Sequence, residues 1–400
     1  MHTRFKAKIG LTILSLSMAT LSGCAVFSQD RDTVYVRESG TAHWNLNPDK
    51  MTREALVTQV DRHWQFAVMS ENTYHGNVNF PLGPLQAAPL AHCNDLSDDA
   101  RQAILTRRNP RADLSELRAS PGTTLLDTAK WKEWEISKGS ISGQTWCKSA
   151  EHALAYRIYE REIEGVVEIA IAFRGTVWSY GPNVKSNLRW FIQWPWTGED
   201  ANLVVQKRLT VDLAKEIVRL HPERVRNTGA IRIYSTGHSL GGALAQQFAY
   251  AFPPAEYGVK DYPGLKLKQV VVFNPSPVNG WFSVPQALRQ ANAGGVPVSR
   301  VFQHGEALAY VRLLLGYVVP LNDGECTSGT CLGPKIEEVR YNRLFTEDGV
   351  PKGSVWKQVG SPASSHSMRN LAAGLASVAG KSPDNYYGNE SSETVATVLP

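Results

Sequence analysis

Apolar runs alternate with amphipathic ones from about residue 150 to residue 380, and that alternation predicts the core of the fold. Ala153 to Tyr159 and Val166 to Phe173 read as two strands, separated by the charged turn Glu160-Arg161-Glu162-Ile163-Glu164-Gly165. Residues 203–220 place Val205, Leu209, Leu213, Ile217 and Leu220 on one helical face. A short apolar run, Ile231 to Tyr234, precedes a helical run of small residues, Ala243 to Phe252. Gln269 to Phe273 and Ser299 to Gln303 read as further strands. A last helix follows residue 367, with Met368, Leu371, Ala372, Leu375 and Val378 in one apolar stripe. Strands apolar along their whole length are buried on both faces. The expected fold class is therefore α/β, a mostly parallel central sheet with helices on both faces.

The first 150 residues are less regular. Helical character begins near Met51, where Thr52 can cap and Leu56, Val60, Trp64 and Val68 recur at four-residue spacing. Residues 75–125 are rich in Pro, Asn and Ala without a long periodic segment. Ahead of them, residues 24–50 are polar and irregular and are expected to act as a tether. At the start, Arg4, Lys6 and Lys8 precede an apolar stretch from Ile9 to Leu21 that is too short to span a bilayer and reads as a secretory signal. It ends in Leu21-Ser22-Gly23-Cys24, which resembles the lipobox of bacterial lipoproteins. That resemblance implies a signal over residues 1–23 and acylation at Cys24. Ala25 in the next position favours the outer membrane of the cell envelope. The expected organisation is then an α/β body over 51–380 with a helical extension over 51–150, and a polar, disordered tail over 381–400.

Removing three basic residues and no acidic one with the leader takes the net charge from +5 to +2. No basic tract remains to neutralise phosphates, so a nucleic-acid partner is not expected. Four cysteines remain beyond Cys24, an even number suited to an oxidising compartment. Three pairings are possible; the favoured one joins Cys326 with Cys331 and Cys93 with Cys147. By chain entropy the short loop contributes about 2 kcal/mol and the long one about 4. A C-x₄-C pair with no histidine nearby is a poor zinc site, and neither metal nor cofactor is expected.

Chemistry concentrates in Gly237-His238-Ser239-Leu240-Gly241-Gly242, set between the strand at Ile231 and the small-residue helix. A G-x-S-x-G in that position is the nucleophile-elbow pattern: a strained turn lifts a serine hydroxyl off the end of a sheet, and glycines make room where strand and helix nearly touch. A serine hydroxyl needs a base, and the base needs an orienting acid. Only His304 and His366 follow Ser239. His366, on the loop entering the last helix, is the favoured base. Glu306, just beyond the strand Ser299 to Gln303, is the favoured acid over Asp323, Glu325 and Asp261. Oxyanion donors are expected from the backbone of Leu240 and from Thr176, at the end of Phe173-Arg174-Gly175-Thr176. Arg174 reads as scaffold, paired with a carboxylate.

Over residues 150–378 the chain resembles the class 3, or fungal-type, lipases of the α/β-hydrolase superfamily. The resemblance rests on Phe173-Arg174-Gly175-Thr176, on Gly237 to Ala245, on Val271-Val272-Phe273-Asn274-Pro275, and on Arg300-Val301 leading to Gly305-Glu306. It implies a triad of Ser239, Glu306 and His366 with an oxyanion hole at Thr176 and Leu240. Two positions depart from the family pattern: the acid is Glu where Asp is usual, and Asn274 stands where the family carries Gly.

In that family the segment after the oxyanion block forms a lid. Here it is Trp178 to Asp200, containing Trp190, Phe191, Trp194 and Trp196, residues suited to a lipid–water interface or to a packed acyl groove. The activity implied is hydrolysis of a carboxylic ester, with lipid esters as the substrate class and a membrane surface as partner through the anchor. An acyltransferase using the same serine, or a non-catalytic envelope lipoprotein keeping the fold, are the alternatives.

Overall fold

The computed structural model describes residues 34–38, 53–74, 79–81, 123–134, 143–145, 156–175, 201–276, 280–281, 284–303, 326–327, 330–331, 333–341 and 368–381. Its strands, in chain order, are β1 (Val34–Glu38), β2 (Asn79–Pro81), β3 (Lys132–Glu133), β4 (Gly143–Thr145), β5 (Tyr156–Ile163), β6 (Val166–Phe173), β7 (Ile231–His238), β8 (Leu267–Phe273), β9 (Pro297–Gln303), β10 (Cys326–Thr327), β11 (Thr330–Cys331) and β12 (Lys335–Tyr341). Its helices are α1 (Arg53–Asp61), α2 (Trp64–Asn72), α3 (Thr123–Thr128), α4 (Ala201–Leu220), α5 (Leu240–Ala251), α6 (Gln286–Ala293) and α7 (Met368–Val378).

Ten strands form one sheet in the order β1-β12-β9-β8-β7-β6-β5-β2-β4, with β3 paired to β5. From β12 to β6 every neighbouring pair is parallel; antiparallel strands close both edges. The centre is as expected from the apolar runs, a mostly parallel sheet compatible with the α/β-hydrolase architecture. The pleat divides its side chains between two cores. Ile169, Ile171, Phe173, Ile233, Val270, Val272 and Val298 meet α4 and α5 on one face. Ala170, Ala172, Val271, Phe273, Val301 and Val339 meet α1, α2, α3 and α7 on the other. Most of the stripes expected on α4 and α7 are buried, with Leu209, Leu213, Ile217, Leu371 and Leu375 fully covered, but Leu220 at the end of α4 is 41% exposed.

Three elements differ from the sequence reading. β5 does not stop at Tyr159 but runs to Ile163, and the turn is confined to Glu164 and Gly165, at φ 51° and 77°. The charges of that segment are accommodated because they pair across the strands. Arg161 stands opposite Glu168, and its Nε donates to Glu168 Oε2 at 2.7 Å, while Arg232 and the Tyr234 hydroxyl reach the other carboxylate oxygen. β1 lies in the stretch read as an irregular tether, yet it pairs residue for residue with β12. The single helix suggested by Leu56, Val60, Trp64 and Val68 is two helices broken at Arg62-His63.

The break has a cause. His63 is completely buried, and its Nδ1 lies 2.9 Å from the Tyr341 hydroxyl on β12. Burial, reinforced by Arg62, lowers its pKa from 6.5 to about 3, so the folded protein holds this ring neutral. The unfolded chain binds a proton below pH 6.5 that the fold excludes, and stability falls as pH drops through the window from 6.5 to about 3. This one group removes about 1.4 kcal/mol per pH unit there. Urea unfolding at pH 7 and pH 5 is expected to show a difference of about 2 kcal/mol from His63, absent in His63→Gln; equal pH slopes in the two proteins would refute a neutral buried ring.

Candidate active site

Ser239 is the single residue between β7 and α5, and it adopts φ 56°, ψ −121°. For a residue with a Cβ such a conformation costs about 1–3 kcal/mol and persists only where its surroundings over-determine it. They do so here. The Ser239 N–H donates to the Phe273 carbonyl at the end of β8 (3.0 Å). Its carbonyl accepts from Gly242 (3.0 Å), Ala243 (3.3 Å) and Ser276 (2.9 Å). The residue sits at the carboxyl end of a central parallel strand, the edge where open α/β sheets gather their sites. It is 4% exposed.

The glycines of the motif are required by close approach. A Cβ on Gly237 would overlap the Gly241 carbonyl and come within 2.9 Å of the Phe173 carbonyl oxygen. On Gly241 it would overlap that same Phe173 oxygen; on Gly242 it would stand 2.9 Å from Pro275 Cβ. Strand β6, the elbow and the first turn of α5 thus pack backbone on backbone. Gly175, two residues past Phe173, completes the cluster. A side chain there would overlap the His238 carbonyl and the Tyr74 hydroxyl and lie 3.2 Å from Ser239 Cβ. The chain leading to Thr176 therefore passes directly beside Ser239. Leu240 is the first residue of α5, and first-turn amides of a helix have no partner within it, so its N–H is a donor at the positive end of the helix dipole.

Asn274 explains itself by geometry. It takes φ 41°, a region that Gly enters freely and Asn more readily than other residues. Its N–H donates to the Val301 carbonyl (2.8 Å), and its Oδ1 accepts from the Gln303 N–H (3.1 Å). The amide replaces the flexibility of a glycine with a tie between the ends of β8 and β9.

His366, Glu306, Thr176, His304, Asp323, Glu325, Trp190, Trp194 and Trp196 lie outside the described residues, as do Cys24, Cys93 and Cys147. Gly175 ends its segment one residue before Thr176; β9 ends three residues before Glu306, two strands along from the elbow; α7 begins two residues after His366, its Met368 buried. Asp261 is exposed on the connection that returns to the amino end of β8, the edge opposite Ser239, which removes it from contention as the acid. Cys326 is the register partner of Cys331 in the β10–β11 hairpin, and no disulfide is formed among the described residues. No cluster of three or more metal-binding side chains occurs among them either.

One residue at the site escaped the sequence reading. Tyr74 follows α2, and its hydroxyl lies 2.7 Å from Nδ1 of His238. Helix α2 is laid along the elbow strand, with Ser70 Oγ 2.9 Å from Thr236 Oγ1 and the Phe66 carbonyl accepting from Thr236. Nothing in the local pattern around Tyr74 distinguishes it from any residue after a helix end.

No protein-family model matches the chain, and no curated protein matches it. Among solved structures it is similar to two of an esterase from the archaeon Pyrobaculum calidifontis, each at a TM-score of 0.28. One, a monoclinic form, is 14% identical, covering 71% of this chain and 98% of that one; the other is 13% identical, covering 75% and 99%. A likeness of that size carries no functional argument, and the chemistry rests on the geometry above.

The close crossing makes a direct prediction. Gly241→Ala is expected to lower the unfolding free energy by about 3 kcal/mol, because a methyl group must displace the backbone of β6. Gly258→Ala, where a Cβ would meet only the Ala255 carbonyl at 3.4 Å, is expected to change it by less than about 0.5 kcal/mol. Urea unfolding of the two variants checks this; similar losses would mean the crossing is not tight.

Proposed function

We propose that the chain is a serine hydrolase that cleaves carboxylic esters, with Ser239 as nucleophile. The observation that carries the reading is the pairing of a strained, over-determined Ser239 with the Gly175 backbone beside it. The turn at Ser239 and the chain at Gly175 meet at one sheet edge, which supports reading the first as a nucleophile turn and the second as the approach to an oxyanion loop.

The proposed reaction follows from that arrangement. Ser239 Oγ attacks the ester carbonyl carbon as His366 removes its proton, with Glu306 orienting the ring. The developing oxyanion is held by the N–H groups of Leu240 and Thr176. Collapse breaks the bond to the alkoxy oxygen, which leaves as the alcohol carrying the proton from His366. Water, deprotonated by the same histidine, then releases the acid and restores Ser239. The resemblance to class 3 lipases and the tryptophans at 190, 194 and 196 support lipid esters as the substrate. The lipobox-like Cys24 supports action at a membrane surface of the cell envelope.

The test is turnover of p-nitrophenyl esters and phospholipid vesicles by the full chain beside Ser239→Ala. Activity on at least one of these is expected, with a loss of about 10³-fold or more in the variant. Activity that survives the substitution would end the proposal. For the lid, Trp194→Ala combined with Trp196→Ala is expected to reduce turnover of vesicles several-fold more than turnover of a short soluble ester; equal losses on both would refute a lipid-facing segment.

A further inference from the structure

Backbone pairing between β6 and β7 ends at Phe173 and Gly237, just short of the elbow. Two residues further on, a side chain from the amino-terminal helices takes over the connection. The Tyr74 hydroxyl lies 2.7 Å from His238 Nδ1 and also receives a hydrogen bond from the backbone N–H of Gly175. The phenol oxygen has one proton and two lone pairs, so it holds Gly175 and His238 at once, with Nδ1 as acceptor or donor according to the tautomer of the ring. Burial holds the phenol well above its usual range, against the opposing charge of Arg174, so it stays protonated across the range in which a histidine base operates. The two rings meet edge-on with centroids 5.8 Å apart, which fixes the phenol's direction as well as its reach.

We infer that Tyr74 is a positioning residue, its hydroxyl clamping the residue before the nucleophile to the first turn of the oxyanion loop; the inference rests on the hydrolase reading of Ser239. The Gly175 amide is spent in this bridge. The chain that continues from Gly175 toward Thr176 starts from a point that this bridge holds. Tyr74 touches neither the serine hydroxyl nor substrate and acts through His238 and Gly175. The helical extension consequently belongs to the catalytic apparatus, since it supplies the cross-link where the sheet's own ladder has run out.

The test compares Tyr74→Phe with Tyr341→Phe in the full chain. The second variant removes the hydroxyl that ties His63, from the same helical segment, to β12, three strands along the sheet from the elbow strand. Hydrogen exchange followed by mass spectrometry is expected to show peptides covering 171–176 exchanging about tenfold faster in Tyr74→Phe, with peptides from β8 unchanged; Tyr341→Phe leaves 171–176 as in the wild type. On a soluble p-nitrophenyl ester, kcat of Tyr74→Phe is expected to fall about 10- to 100-fold with KM within about twofold, while Tyr341→Phe loses thermal stability and keeps its kcat. Unchanged exchange at 171–176, unchanged kcat despite faster exchange, or equal losses in both variants would overturn the inference. If the wild type turns over no ester, the hydrolase reading fails and the exchange result alone decides whether Tyr74 holds the loop.

Discussion

A single carbonyl group, that of Phe173, is the object around which the elbow is built. Gly237 approaches it from the neighbouring strand and Gly241 from the helix that follows, each so closely that no side chain fits between. That crossing forces the chain to reverse within one residue, and Ser239 absorbs the reversal at φ 56°. The strain is then locked by four backbone hydrogen bonds, from β8, from the first turn of α5 and from Ser276. Close packing and strain are two aspects of one constraint, because a looser crossing would let the serine relax into an ordinary turn.

The parts legible in sequence were those determined locally. Gly237, Gly241 and Gly242 stand within five residues of one another, and the stripes of α4 and α7 are periodic over their own lengths. What escaped was set by partners far along the chain. His63 finds Tyr341 278 residues away, and Tyr74 finds His238 across 164. Neither partnership leaves a mark on the residues flanking it. The extension of β5 was hidden for a different reason. Glu160, Arg161 and Glu162 look like a solvated turn until Glu168 and Arg232 are set beside them, and a cross-strand ion pair turns an apparent liability into a paired position. Asn274 shows the reverse case, a departure from a family pattern that the backbone explains once its positive φ is seen.

The two layers over the sheet are tied to it by different kinds of polar contact. Helices α4 and α5 pack mainly through apolar side chains, with α5 also held by Ser235 Oγ donating to the Ala245 carbonyl and Arg300 Nε donating to Gln246 Oε1. The α1–α2 pair adds specific polar ties: Ser70 to Thr236, His63 to Tyr341 and Tyr74 to His238. Apolar contact permits sliding by small steps, whereas a buried hydrogen bond is lost outright if its partners separate, so these ties set the register of the helices over the elbow strand.

Strand β1 changes the geometry at the opposite edge. Because Val34–Glu38 is knit to β12, only residues 25–33 separate it from Cys24, about 30 Å of chain at full stretch. A protein acylated at that cysteine would not drift on a long leash. The β1 edge of its sheet would stand no further than that length from the headgroups, like a float on a short mooring.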